Sequence, residues 1–132
     1  GRSLRLAAAG AGWTLHGLWP EGARSCRGKA FDPPALGDLR PRLEARWPSC
    51  RGGTASEEFW RWEWERHGTC FGADQRRYFQ LSLELLERHA AACVAWRTDD
   101  CRLCLTADFQ LCAGLSDAPA TAGGAQASIS AV

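Results

Sequence analysis

The sequence predicts a helix-weighted α+β domain, with helices packed on a small antiparallel sheet. Ile and Val together occur only three times (Val94, Ile129 and Val132), too few for a large β-sandwich. Apolar residues recur at helical spacing in stretches between Leu36 and Cys93. Strand-like segments flank that region on both sides. At 132 residues the chain has room for one modest domain. It contains no apolar run of the about 18 residues that a membrane-spanning helix needs. Met is absent even at position 1, so the chain reads as a processed product or part of a longer one.

The apolar run within Gly1 to Gly12 is too brief for a signal-peptide h-region, so the segment reads as a leftover of one or as an ordinary flexible lead-in. Trp13 to Pro20 (WTLHGLWP) reads as a strand ended by proline, with Trp13 and Leu15 on one face and Thr14 and His16 on the other. Gly22, Gly28, Pro33 and Pro34 mark a loop. Asp38 is placed to cap a short helix reaching Trp47, with Leu36, Leu39, Leu43 and Trp47 as its apolar stripe. Thr54-Ala55-Ser56-Glu57 is a capping-box pattern opening a helix to about Arg66, with Gly68 near its C-terminus. A third helix is expected from about Ala73 to Ala92, burying Phe79, Leu83, Leu86, Ala90 and Cys93. Residues 101–106 and 109–112 suggest a small hairpin turning at Ala107-Asp108. Residues 1–112 are thus expected to form the domain. Residues 113–132, rich in Ala, Gly and Ser, are expected to be a disordered tail.

Seven cysteines suit an oxidising compartment, and the odd count leaves at least one unpaired within the chain. Cys93, Cys101, Cys104 and Cys112, with His89 nearby, also admit a zinc reading, although only one C-x-x-C is present. The net charge of +1 excludes polybasic binding by bulk field. The charge is uneven, however: residues 1–55 hold nine cations against four anions.

The segment Phe59 to Cys70 (FWRWEWERHGTC) carries the densest chemistry. On a helix, Glu63 and His67 are i,i+4 neighbours, as are Trp62 and Arg66, while Trp60 and Trp64 turn toward the core. An imidazole, a carboxylate and a guanidinium within two turns suit an oxyanionic substrate. The plainer alternative is an ordinary i,i+4 pair on a solvated helix face. His16, on a separate strand beside Gly17, offers a second imidazole. Two such groups can act as general base and general acid in phosphodiester cleavage. Neither a phosphate-binding glycine loop nor a zinc-protease or nucleophile-elbow motif is present.

Trp13 to Pro20 resembles the first active-site segment of the ribonuclease T2 family, and Phe59 to Cys70 resembles its second, F-W-x-H-E-W-x-K-H-G-T-C. Similarity extends over about Gly12 to Cys93. The resemblance implies a ribonuclease T2-like α+β fold and metal-independent cleavage of single-stranded RNA, by attack of the 2′-hydroxyl on phosphorus to leave 2′,3′-cyclic phosphate ends. It makes His67 the general base, His16 the general acid, and Glu63 and Arg66 the groups that stabilise the phosphorane. It leaves Trp19 between stacking on a base and core packing. It pairs Cys26 with Cys70 and Cys104 with Cys112, and gives Cys50, Cys93 and Cys101 no partner.

Two positions depart from the motif: Trp62 stands where the family has a substrate-binding histidine, and Arg66 where it has lysine. An indole offers one neutral N–H in place of an imidazolium, so weakened activity is expected. Measured against the family, the chain reads as shortened, missing elements at the N-terminus and in the centre. The expected function is therefore an impaired endoribonuclease acting on single-stranded RNA. It is expected to be monomeric, to need no metal or other cofactor, to bind no membrane, and to be secreted or vacuolar/lysosomal. The alternatives are a catalytically inactive RNA- or protein-binding protein and a small zinc protein.

Overall fold

The computed structural model describes residues 1–10, 12–49, 54–95 and 98–113. Three antiparallel strands, β1 (Arg2–Ala9), β2 (Gly12–Pro20) and β3 (Asp100–Leu105), form one sheet in the order β2-β1-β3. Three helices pack on it: α1 (Arg40–Arg46), α2 (Thr54–Arg66) and α3 (Gln75–His89). This is the expected α+β class.

The first correction concerns the N-terminus. Residues 2–9 are not a lead-in but the central strand, pairing with both neighbours. A strand therefore precedes the first motif segment. Its alternation explains why: Leu4 and Leu6 point into the core and are fully buried, while Arg5 between them points to the other face.

The second correction concerns β2. The register runs Arg5↔Gly17 and then Leu6↔Leu15, so His16 is an extra residue in a β-bulge. Leu15 and Leu18 are an odd number of residues apart, which in a regular strand sends them to opposite faces. The bulge resets the phase, and both are buried. His16 is left exposed at the bulge.

Leu36, Leu39, Leu43 and Trp47 are all buried, as the stripe requires. They span two pieces: a 3-10 segment Pro33–Leu39, kinked at Gly37, and then α1. Asp38 does not cap α1, whose N-cap is Leu39; its carboxylate instead pairs with Arg76 at 2.7 Å. α2 begins at Thr54, but the Thr54 side chain lies outside the described residues. Gly68 follows the end of α2 as expected. It is buried so closely that a Cβ would stand 2.3 Å from the Trp64 ring and 2.8 Å from that of Tyr78. The left-handed residue is Gly72, after the 3-10 turn Gly68–Phe71. α3 is capped by Asp74, which accepts from the Arg77 N–H at 2.8 Å, and continues beyond His89 as a 3-10 turn.

The expected 101–112 hairpin is only partly formed. β3 pairs with β1, and the return contributes a single bridge, Leu105↔Leu111. Disulfides join Cys26 to Cys70, Cys93 to Cys101 and Cys104 to Cys112. The pair Cys93–Cys101, unassigned from sequence, ties the end of the helical region to β3. These bonds occupy all four cysteines of the zinc reading, and the His89 ring is hydrogen-bonded to the Phe109 carbonyl at 2.9 Å. Cys50 and the tail beyond residue 113 lie outside the described residues.

The core joins Leu4, Leu6, Leu15 and Leu18 of the sheet to Trp47, Trp60, Trp64, Tyr78 and Phe79. Each buried indole N–H finds a carbonyl. Trp60 donates to Trp47 at 2.7 Å, Trp64 to Lys29 at 2.8 Å, and Trp47 to His16 at 3.2 Å. Leu6→Ala is expected to cost about 2–5 kcal/mol in chemical denaturation. Val94→Ala, at a residue 86% exposed, is expected to stay within about 0.5 kcal/mol.

Candidate active site

The two motif segments meet at Gly17. A Cβ built there would lie 1.9 Å from Glu63 Oε1 and 2.4 Å from Trp19 Nε1. Only a bare backbone lets the helix carboxylate and the strand indole approach this closely. They are joined: Trp19 Nε1–H donates to Glu63 Oε1 at 2.7 Å. Glu63 is only 1% exposed. Burial pushes its carboxyl up to about 7, against the opposing effects of the Trp19 hydrogen bond and of Arg66 and Arg5.

His67 ends α2 one turn after Glu63, and its N–H donates to the Glu63 carbonyl at 2.9 Å. Its ring stacks on Trp19 with centroids 4.7 Å apart. Among the described residues its Nδ1 is buried without a hydrogen-bond partner. Burial, then the cations Arg66, His16, Arg5 and Arg24, bring its pKa down to about 4. It is therefore a neutral imidazole over most of the accessible pH range.

His16 reaches the same place from the sheet. The bulge turns its ring out of the core, edge-on to Trp19 at 5.3 Å and against Phe59 at 5.8 Å. Its pKa is lowered, first by burial among these rings and then by Arg5, with Asp100 opposing. The hydrogen bond from Trp47 fixes its carbonyl, and so the bulge itself.

The sequence-predicted residues thus fall into two groups. His16, Trp19, Glu63 and His67 share one cluster. Trp19 lies outside the core: it is half-buried, bonded to Glu63 and stacked on His67. Trp62 and Arg66 pair at the rim, with the guanidinium 5.3 Å above the indole. Trp62 is 58% exposed. A cleft of about 640 Å³ opens beside His16, walled by Ala7, Thr14, Pro48, Phe59 and Trp62. Arg5, missed from sequence, lies 4.2 Å above the Trp19 ring. The Leu4-Arg5-Leu6 alternation was its only signal.

Chemically, the cluster offers a buried neutral imidazole, a second imidazole nearer to solvent, and cations on its rim. Such a set can move a proton at each of two oxygens and balance charge on an oxyanion between them.

The Ribonuclease T2 family model matches residues 3–97, well over half of the 132 residues. Human ribonuclease T2 is 40% identical over 80 residues, a match covering 55% of this chain and 31% of that protein. Ribonuclease 1 of Arabidopsis thaliana is 39% identical over 84 residues, covering 56% and 36%. The crystal structure of human RNase T2 superposes with a TM-score of 0.63 at 28% identity, covering 70% of this chain and 59% of that one. Ribonuclease MC1 from bitter gourd seeds gives 0.60 at 25% identity, covering 73% and 61%. The chain spans less than half the length of the curated relatives it matches. The matched region runs through both motif segments and from β1 to the end of α3, and the chain belongs to the ribonuclease T2 family.

Proposed function

We propose that this chain is an endoribonuclease that cleaves single-stranded RNA by transphosphorylation, leaving 2′,3′-cyclic phosphate ends. The observation that carries the reading is the convergence of two imidazoles from separate elements, His16 on β2 and His67 just past the end of α2, against the one Trp19 ring. His67 acts as general base and takes the 2′-hydroxyl proton as that oxygen attacks phosphorus. His16 acts as general acid and protonates the departing 5′-oxygen. Glu63 and Arg66 stabilise the phosphorane, Glu63 as a hydrogen-bonding carboxyl and Arg66 as a cation. No step requires a metal or other cofactor. Residues 1–112 form the working unit, active as a monomer. Three disulfides and the family's habit favour a secreted or vacuolar/lysosomal setting.

Activity is reduced relative to the family, because Trp62 supplies no cationic donor and its ring faces Arg66. A lost charge-assisted hydrogen bond at a phosphate costs roughly 1.5–3 kcal/mol, or about 10- to 150-fold in rate.

The folded chain, assayed on single-stranded RNA with EDTA present, is expected to release 2′,3′-cyclic ends. His16→Ala and His67→Ala are each expected to reduce cleavage by about 10²–10⁴-fold. A folded chain that leaves RNA intact would instead favour a binding protein. The working form needs His67 neutral and His16 protonated. His67 is neutral above about 4, and His16 is protonated only below a pKa that lies under 6.5. The pH profile of kcat/KM is therefore expected to peak between these limits, falling in acid as His67 gains a proton and above as His16 loses one; a maximum above pH 7 would refute the assignment. Trp62→His is expected to raise kcat/KM by about tenfold or more. No gain in a folded variant would place the defect elsewhere.

A further inference from the structure

β1 brings to the site a cation that neither motif contains. Arg5 is the cross-strand partner of Gly17 on one side and of Arg102 on the other. Directly opposed residues share a sheet face, so Arg5, Arg102 and the bare side of Gly17 form one row across the three strands. Leu4 and Leu6 turn the other way, into the core. On the Gly17 end of that row lie the Glu63 carboxyl and the Trp19 indole N–H.

The guanidinium of Arg5 is held rather than left loose. Its Nε–H donates to Ser3 Oγ at 2.9 Å, and its Cζ sits 4.2 Å above the Trp19 ring. That ring is the one on which His67 stacks and against which His16 rests edge-on. Arg5 is close enough to act on His16, Glu63 and His67 alike.

We infer that Arg5 binds a phosphodiester oxygen of the RNA strand, supplying from β1 the phosphate-holding charge that Trp62 does not supply from α2. The inference rests on the ribonuclease reading and adds a binding residue to it. A planar fork already oriented by an aromatic face suits a phosphate better than a mobile ammonium does. With Arg66 on the helix and Arg5 on the sheet, the phosphate is held from two sides of the His16–His67 pair.

The test measures binding, so it does not depend on turnover. The full chain is titrated at pH 5 with inorganic phosphate and with a 2′-deoxy 12-mer, which lacks the attacking hydroxyl. The comparison is among wild type, Arg5→Gln, Arg5→Lys and, as a control, Arg88→Gln on the exposed end of α3. Arg5→Gln is expected to weaken both ligands by about tenfold or more, and to flatten the salt dependence of 12-mer binding by about 0.7 in log–log slope. Arg5→Lys, which keeps an alkyl stem over Trp19, is expected to keep the slope but recover only part of the affinity. Wild-type affinity and slope in folded Arg5→Gln would overturn the inference, as would an effect equal to that of Arg88→Gln. An effect on phosphate alone would overturn the assignment to RNA. Arg5-dependent 12-mer binding by a chain that cuts no RNA would support the inference while refuting the ribonuclease reading.

Discussion

The hydrogen bond from the Trp19 indole to the Glu63 carboxyl, laid against the bare backbone of Gly17, is the contact on which the site depends. It is the joint between the two halves of the machinery, since Trp19 belongs to the sheet and Glu63 to the helix. Once it is made, α2 is fixed in rotation. His67, one turn on, is thereby laid on the Trp19 ring, and Trp60 and Trp64 are turned into the core. A single methyl group at position 17 would occupy the space of both partners. The glycine thus does more than permit a turn: its missing side chain is the slot into which the carboxyl fits.

Charge in the site follows from the same closeness. Glu63 has lost nearly all contact with water, and one indole N–H does not replace it, so the carboxyl holds its proton up to about 7. His67 is pressed the opposite way, toward neutrality, by the same burial and by the cations around it. In mildly acidic solution neither member of the i,i+4 pair is charged, so the pair is not the surface salt bridge that its spacing alone suggests. The neutral pair costs little to bury and leaves the imidazole able to accept a proton. The local positive charge then comes from arginines on the rim.

Much of this was legible in the sequence, and the failures share a cause. The helical stripe from Leu36 to Trp47, the buried Trp60 and Trp64 and the juxtaposition of Glu63 with His67 follow from local periodicity and are found in the structure. The bulge at His16 did not follow, because period-two reasoning assumes a regular strand. A bulge changes the phase by one residue, and its cause, the pairing of β2 with β1 and the Trp47 bond to the His16 carbonyl, is tertiary. The N-terminal segment was misread for a related reason. Arg-Ser-Leu-Arg-Leu followed by three alanines carries little β propensity. It is a strand because β2 and β3 pair with it on both sides, a tertiary arrangement whose one local sign is the Leu4-Arg5-Leu6 alternation. Gly68 lies near the C-terminus of α2 as expected, but its use, to let Trp64 and Tyr78 close over it, is tertiary.

The arginines show how a departure from the family motif is accommodated without disturbing the fold. Trp62 stands where the motif has a polar side chain, at a position 58% exposed on α2 and outside the core. It even finds a partner, the guanidinium one turn along. What changes is the charge presented to a bound phosphate, and charge can be restored from any element that reaches the same space. β1 is such an element. It crosses beneath the site as the central strand, its inward leucines fix its register, and every outward position is therefore a fixed point on the face where the substrate would lie. A cation at Arg5 is positioned by the core rather than by the active-site motif. In the proposed reading, the two motif segments keep the proton-transfer pair while the holding of phosphate shifts to the sheet.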